Sequence, residues 1–122
     1  MTSVKSYQDL EVWRESIDVV KRTYALARTL PEIERFALVT QMQRAAVSVP
    51  ANIAEGWARD STKEYLRHLS IARGSLAELE TFFVLCIELG YSQADRLVEL
   101  QADSETLGRR LNALQASLRK HT

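Results

Sequence analysis

Only two prolines and four glycines punctuate the 122 residues of this chain. An all-β fold needs turn-forming residues every ~8–12 positions, so this scarcity points to helices. Four segments carry the helical pattern. The first places Leu10, Trp13, Ile17, Val20, Tyr24 and Ala27 at alternating steps of three and four before Pro31. A second, alanine-rich segment runs from about Ile33 to Ala58. The third reads Tyr65, Leu69, Ala72, Leu76, Leu79, Phe83, Cys86, and the fourth Leu97, Leu100, Ser104, Leu107, Leu111, Leu114, Leu118. Such steps average ~3.5 residues, the seam of helices packed at small crossing angles. The expected fold is all-α: one domain over 1–122, an antiparallel up-down-up-down four-helix bundle with helices at 8–29, 33–58, 62–89 and 93–119.

The boundaries have local causes. Ser61 and Glu64 form a capping-box pattern, in which the hydroxyl takes the Glu64 amide and the carboxylate reaches back. Ser92 and Asp95 repeat it more weakly. Gly90 stands where the third helix must stop and can adopt the left-handed conformation of a C-terminal cap. Pro50 interrupts the second helix, where a proline removes a donor and costs roughly 3 kcal/mol. That helix is expected to kink near Ser48–Pro50 or to break in two, with Ser48 and Asn52 serving the freed backbone groups. A structural bend and a binding site at the bend are both open at this stage.

A second apolar line runs beside the seam. Val12, Val19 and Leu26 recur every seven residues on the first helix, and Ile71, Phe82 and Leu85 fall outside the seam of the third. A monomeric bundle needs one stripe per helix, so a second stripe is either a self-association interface or a broad core-facing arc.

Lysine and arginine together number 16, as do aspartate and glutamate. Nucleic-acid-binding domains usually show a basic excess, so net neutrality argues against a large phosphate-binding surface. A local group remains: Arg59, Lys63 and Arg67 at four-residue intervals, with Arg73 further along. This is either a nucleic-acid-binding patch or a salt-bridged face diluted by Asp60 and Glu64. The lone Cys86 cannot form an internal disulfide, and neither a leader-like segment nor a membrane span of ~18 apolar residues is visible. A cytoplasmic protein is expected.

Chemistry finds few candidates. Metal-binding bundles use glutamate and histidine three apart. Here Glu64 and His68 are four apart and His121 is the only other histidine, so no metal or cofactor is expected and His68 is expected at the surface. Cys86 lies among apolar neighbours that disfavour a thiolate. Gly74-Ser75 lacks the lysine of a phosphate loop, and Gly74 is expected to mark a close helix contact. Glu78 and Glu80, two apart, point to different helix faces. The chain is not expected to be an enzyme.

The blocks Ser6-Tyr7-Gln8-Asp9-Leu10-Glu11-Val12-Trp13, Gln41 to Gly56, and Ala72-Arg73-Gly74-Ser75-Leu76-Ala77-Glu78-Leu79-Glu80-Thr81 resemble the bacterial 23S rRNA intervening-sequence proteins. The resemblance spans nearly the whole chain, with Tyr7 where the family usually has phenylalanine. It implies an antiparallel four-helix bundle that assembles as a ring-shaped homopentamer. It also implies an RNA connection, because some members are encoded inside 23S rRNA gene insertions. The related accessory proteins of diversity-generating retroelements bind a reverse transcriptase and nucleic acid through a strongly basic surface, which this neutral chain lacks. The resemblance further implies an ion pair of Arg44 with Glu78 or Glu80, within or between subunits, and a local organising role for Asn52 and Glu55 near Pro50 and Gly56. Taken together, the expectation is a non-catalytic oligomeric bundle that binds RNA through Arg59, Lys63, Arg67 and Arg73. The alternative is a protein-interaction scaffold without nucleic acid.

Overall fold

The computed structural model describes residues 4–121. Four helices carry the fold: α1 (Glu11–Ala27), α2 (Leu38–Trp57), α3 (Thr62–Glu88) and α4 (Ala94–Lys120). Short 3-10 turns, Tyr7–Asp9 and Glu32–Glu34, precede α1 and α2, and the described residues contain no strand. The first two helices therefore start later than the apolar pattern predicts. Ser6 and Asp9 close a capping box on the first short turn, with Ser6 Oγ taking the Gln8 amide at 3.0 Å. The second turn lies after Pro31, whose φ of −60° and ψ of 149° hold the chain extended.

The packed order of the helices follows from side-chain pairs. Across α2 and α3, Met42 meets Cys86, Ser48 meets Ser75 and Asn52 meets His68. Across α1 and α4, Glu15 pairs with Arg110 and Arg22 with Asp103, each at 2.6 Å. In both pairings the numbers rise on one helix as they fall on the other. These exposed ion pairs add at most ~1 kcal/mol each. Stability comes instead from a core fed by all four helices, including Val19, Met42, Ile53, Leu76, Phe83 and Leu107. Burying such a side chain contributes roughly 1.5–3 kcal/mol.

The predicted α3 seam from Leu69 to Cys86 is buried throughout, and the α4 seam is buried from Leu97 to Leu111. On α1 the buried line lies one position away from the expected one. Val12, Ser16, Val19, Thr23 and Ala27 are buried there, while Trp13, Ile17, Val20 and Tyr24 are half-buried. Val12 and Val19 are thus core residues of a single subunit and cannot form a second outward stripe. The polar Ser16 and Thr23 hid this face from a reading based on hydrophobicity. Both satisfy their hydroxyls on their own helix, donating to the Trp13 and Val19 carbonyls. Trp13 instead packs edge-on against Tyr7, which also meets Trp57, tying the N-terminal turn to the end of α2.

Pro50 is buried inside an unbroken α2, so the helix does not divide in two. At the start of α3, Ser61 Oγ takes the Glu64 amide at 3.1 Å as expected. The return half of that box is absent, because Glu64 turns to Arg67 at 3.5 Å. At α4 the cap is Gln93 with no side-chain bond, so the Ser92 signal was not used. Gly90 adopts φ +78°. The Gly90 amide donates to the Ile87 carbonyl and the Tyr91 amide to the Cys86 carbonyl, which together seal the end of α3.

Candidate interaction surface

Two helices approach each other closely at Gly56. A Cβ there would lie 2.7 Å from His68 Cβ and 3.2 Å from the Tyr65 carbonyl oxygen, both anchored on α3. Only glycine lets the end of α2 sit this near the start of α3. That proximity buries His68, whose side chain is just 6% exposed, contrary to its expected surface position.

His68 ends a chain of polar side chains along the α2–α3 seam. The Asn52 amide nitrogen donates to the Ser48 carbonyl at 2.9 Å and to Ser48 Oγ at 3.0 Å. Ser75 Oγ donates to Ser48 Oγ at 2.8 Å. With its nitrogen committed, Asn52 presents Oδ1 to His68 Nδ1 at 3.0 Å, which fixes the proton of a neutral ring on Nδ1. His68 Nε2 has no hydrogen-bond partner; Glu55 Oε1 lies 3.9 Å away and holds Arg59 at 2.6 Å. The carbonyl that Pro50 leaves without its amide is that of Ala46, to which neither Ser48 nor Asn52 is bonded; their side chains instead join the two helices.

The outer side of the same seam is open. One turn from the Ser48–Ser75 contact, Arg44 on α2 and Glu78 on α3 are both solvent-accessible. Among the described residues Arg44 pairs with neither Glu78 nor Glu80, so the expected ion pair does not form within the subunit. Glu80 instead faces Glu105, and its carboxyl is pushed above the usual range, by partial burial first and by Glu105 second. Val47, Ile71 and Leu85 surround the unpaired charges with 43%, 40% and 38% of their surfaces exposed. Gly74 lies on this face, and a Cβ added to it would meet nothing within 4 Å. Within the subunit Gly74 thus makes no close helix contact, whereas Gly56 does. Of the remaining interface candidates, Leu26 and Phe82 are half-buried against the core.

The basic group is partly spent. Arg59 pairs with Glu55 and Arg67 with Glu64, and the Arg73 guanidinium donates to Gln115 Oε1 at 3.0 Å. Gln115 is itself fully buried on α4 and donates to Ser70 Oγ and the Leu66 carbonyl. Among the described residues, Lys63 alone of the four is left without an ion pair or hydrogen bond. A salt-bridged face describes most of this region. Cys86 is buried, and burial pushes its thiol above the ordinary value. The described residues hold no cluster of three metal-ligating side chains. No helix among them is long and apolar enough to cross a membrane.

These features define an all-α, four-helix protein. The chain belongs to the 23S rRNA-intervening sequence protein family, whose profile matches residues 8–113. A crystal structure of a protein with unknown function from the S23 ribosomal protein family of Bacteroides thetaiotaomicron VPI-5482 has the same fold. The two superpose with a TM-score of 0.79 at 25% identity, covering 85% of this chain and 97% of that one. No curated protein matches the chain.

Proposed function

We propose that this chain is a non-catalytic building block: an antiparallel up-down-up-down bundle, bent at Pro50, that assembles with copies of itself as a cytoplasmic ring. The opposed numbering of the α1–α4 and α2–α3 pairs supports the topology. The observation that carries self-association is the α2–α3 face. Arg44 and Glu78 stand level on it without partners, amid the exposed Val47, Ile71 and Leu85. An apolar surface bearing unpaired charges of both signs suits a copy of itself, which brings the opposite charge to each. In the expected homopentamer Arg44 of one copy would meet Glu78 of the next, head to tail, because the same face meeting itself would stop at a two-fold pair.

Light scattering on charge-swapped variants tests the assembly. Arg44→Glu and Glu78→Arg should each lower the assembled mass, and the double variant should recover it. Unchanged mass in both single variants would remove the α2–α3 face from the assembly.

RNA binding is the second reading, supported by the family description and by Lys63 standing free between Arg59 and Arg67. Binding to structured RNA should weaken steeply with salt and again on Lys63→Ala with Arg67→Ala. An intact oligomer that ignores RNA even at low salt would instead be a protein scaffold.

A further inference from the structure

The exposed apolar residues are not spread evenly. Ile33 and Phe36, in the connection between α1 and α2, are 84% and 85% exposed. Leu89, just past α3, and Val98, early in α4, are 54% and 58% exposed. These positions share one end of the bundle. Tyr91 Oη donates to Glu34 Oε2 at 2.7 Å, joining the α1–α2 connection to the α3–α4 connection. The Met42–Cys86 contact, one helical turn further in, puts the start of α2 beside the end of α3. Leu26, Leu97 and Leu100 line an open cleft of about 720 Å³ at the same end.

Large side chains so fully exposed contribute nothing to the core, and grouped together they mark a contact surface. The charges around them select the partner. Residues 28–36 and 88–99 carry five carboxylates (Glu32, Glu34, Glu88, Asp95 and Glu99) against three arginines, Arg28, Arg35 and Arg96. Arg35 and Glu32 engage each other at 3.4 Å, with Arg35 over the Phe36 ring at 5.2 Å, and Glu34 takes the Tyr91 hydroxyl, so Glu88, Asp95 and Glu99 remain against Arg28 and Arg96. A second copy meeting this end with its own would set acid against acid. The opposite end offers no comparable apolar group, since Val4 is the one large hydrophobic exposed there among the described residues. An anionic lipid surface would be repelled as well.

We propose that this end is a docking surface for a helix of another protein, one that presents an apolar face flanked by lysine or arginine. Ile33 and Phe36 would enter between the apolar side chains of that helix, and the carboxylates would meet its cations. This end adjoins the α2–α3 face where Leu89 follows Leu85 by one turn of α3, but Ile33 and Phe36 lie in the α1–α2 connection, so variants there test this end alone.

The test uses fluorescence anisotropy with a labelled Leu/Lys amphipathic peptide of about 18 residues and a Leu/Glu peptide of the same pattern. The Leu/Lys peptide should bind at least ~10-fold more tightly to the full chain. Ile33→Ser with Phe36→Ser should cost about 10-fold or more of that affinity. Val47→Ser with Ile71→Ser, on the other face, should leave it unchanged. Equal binding of both peptides, or binding indifferent to the Ile33/Phe36 variant, would overturn the proposal. So would a fall in assembled mass for that variant, which would make a second copy the occupant. Binding of the full chain to phosphatidylserine vesicles that is lost in the same variant would assign the surface to membrane and equally overturn it.

Discussion

His68 on α3 and Asn52 on α2 share a hydrogen bond of 3.0 Å, and through Asn52 the ring is linked to Ser48 and Ser75. The bond ties α2 to α3, with His68 buried and Asn52 half-buried. Asn52→Ala removes three hydrogen bonds and leaves His68 Nδ1 buried without a partner. The expected loss is about 2 kcal/mol or more, seen as a lower midpoint in urea with little change in slope. An unchanged midpoint would show that the network organises the seam without stabilising it.

The two glycines on this seam should respond in opposite directions. Gly56→Ala brings a methyl within 2.7 Å of His68 Cβ, an atom fixed to the α3 backbone, so the helices must part. A cost of roughly 1–3 kcal/mol follows. Gly74→Ala meets open space inside a helix and should gain about 0.5–1 kcal/mol in the subunit. If Gly74→Ala also lowers the assembled mass, its empty surroundings are filled by a neighbouring copy.

Glu80 gives a pH dependence of known sign. Its carboxyl is raised above 4.5 in the folded protein, by burial and then by Glu105, so the fold holds that proton more tightly than the unfolded chain. The associated stability is fully present below pH 4.5 and is lost as pH rises through the folded value. Glu80→Gln should therefore stabilise the protein at pH 7, by an amount that solvent screening of this partly exposed group keeps small. The difference from wild type should vanish in acid. Thermal melts at pH 4 and pH 7 measure it, and a destabilised variant at pH 7 would refute this account of the carboxyl.

At Gly90 the backbone sits at φ +78°. Gly90→Ala should cost about 1 kcal/mol through left-handed strain alone, because nothing stands near its Cβ position. Gly90→Asn should cost less, and calorimetry on the pair separates backbone strain from packing.

The sequence disclosed what rests on one helix at a time. The α3 seam, the Ser61 cap and the Gly90 stop depend on local spacing and local chemistry. Pro50 was legible as a missing donor, but the unbroken helix around it depends on packing that the pattern does not contain. On α1 the buried line runs through Ser16 and Thr23, whose hydroxyls are absorbed by their own backbone, so hydrophobicity pointed to the neighbouring line. His68 and Gly56 needed knowledge of which residues face each other across two helices. The signal was available in part: His68 stands four before Ala72, on the edge of the predicted seam. Gly74 faces outward within the subunit, and spacing alone cannot distinguish an inward glycine from an outward one.

The single bond between Tyr91 and Glu34 spans 57 positions of sequence and joins the two connections at one end. At the other end the link from α2 to α3, residues 58–61, is exposed and is held mainly by its own cap and the neighbouring Arg59–Glu55 pair. As a chassis for engineering, the molecule thus has a clasped end and a free one. A peptide tag or a fused domain inserted between Ala58 and Ser61 can be carried without prising the hairpins apart, whereas the same graft between residues 30 and 36 would open the clasp.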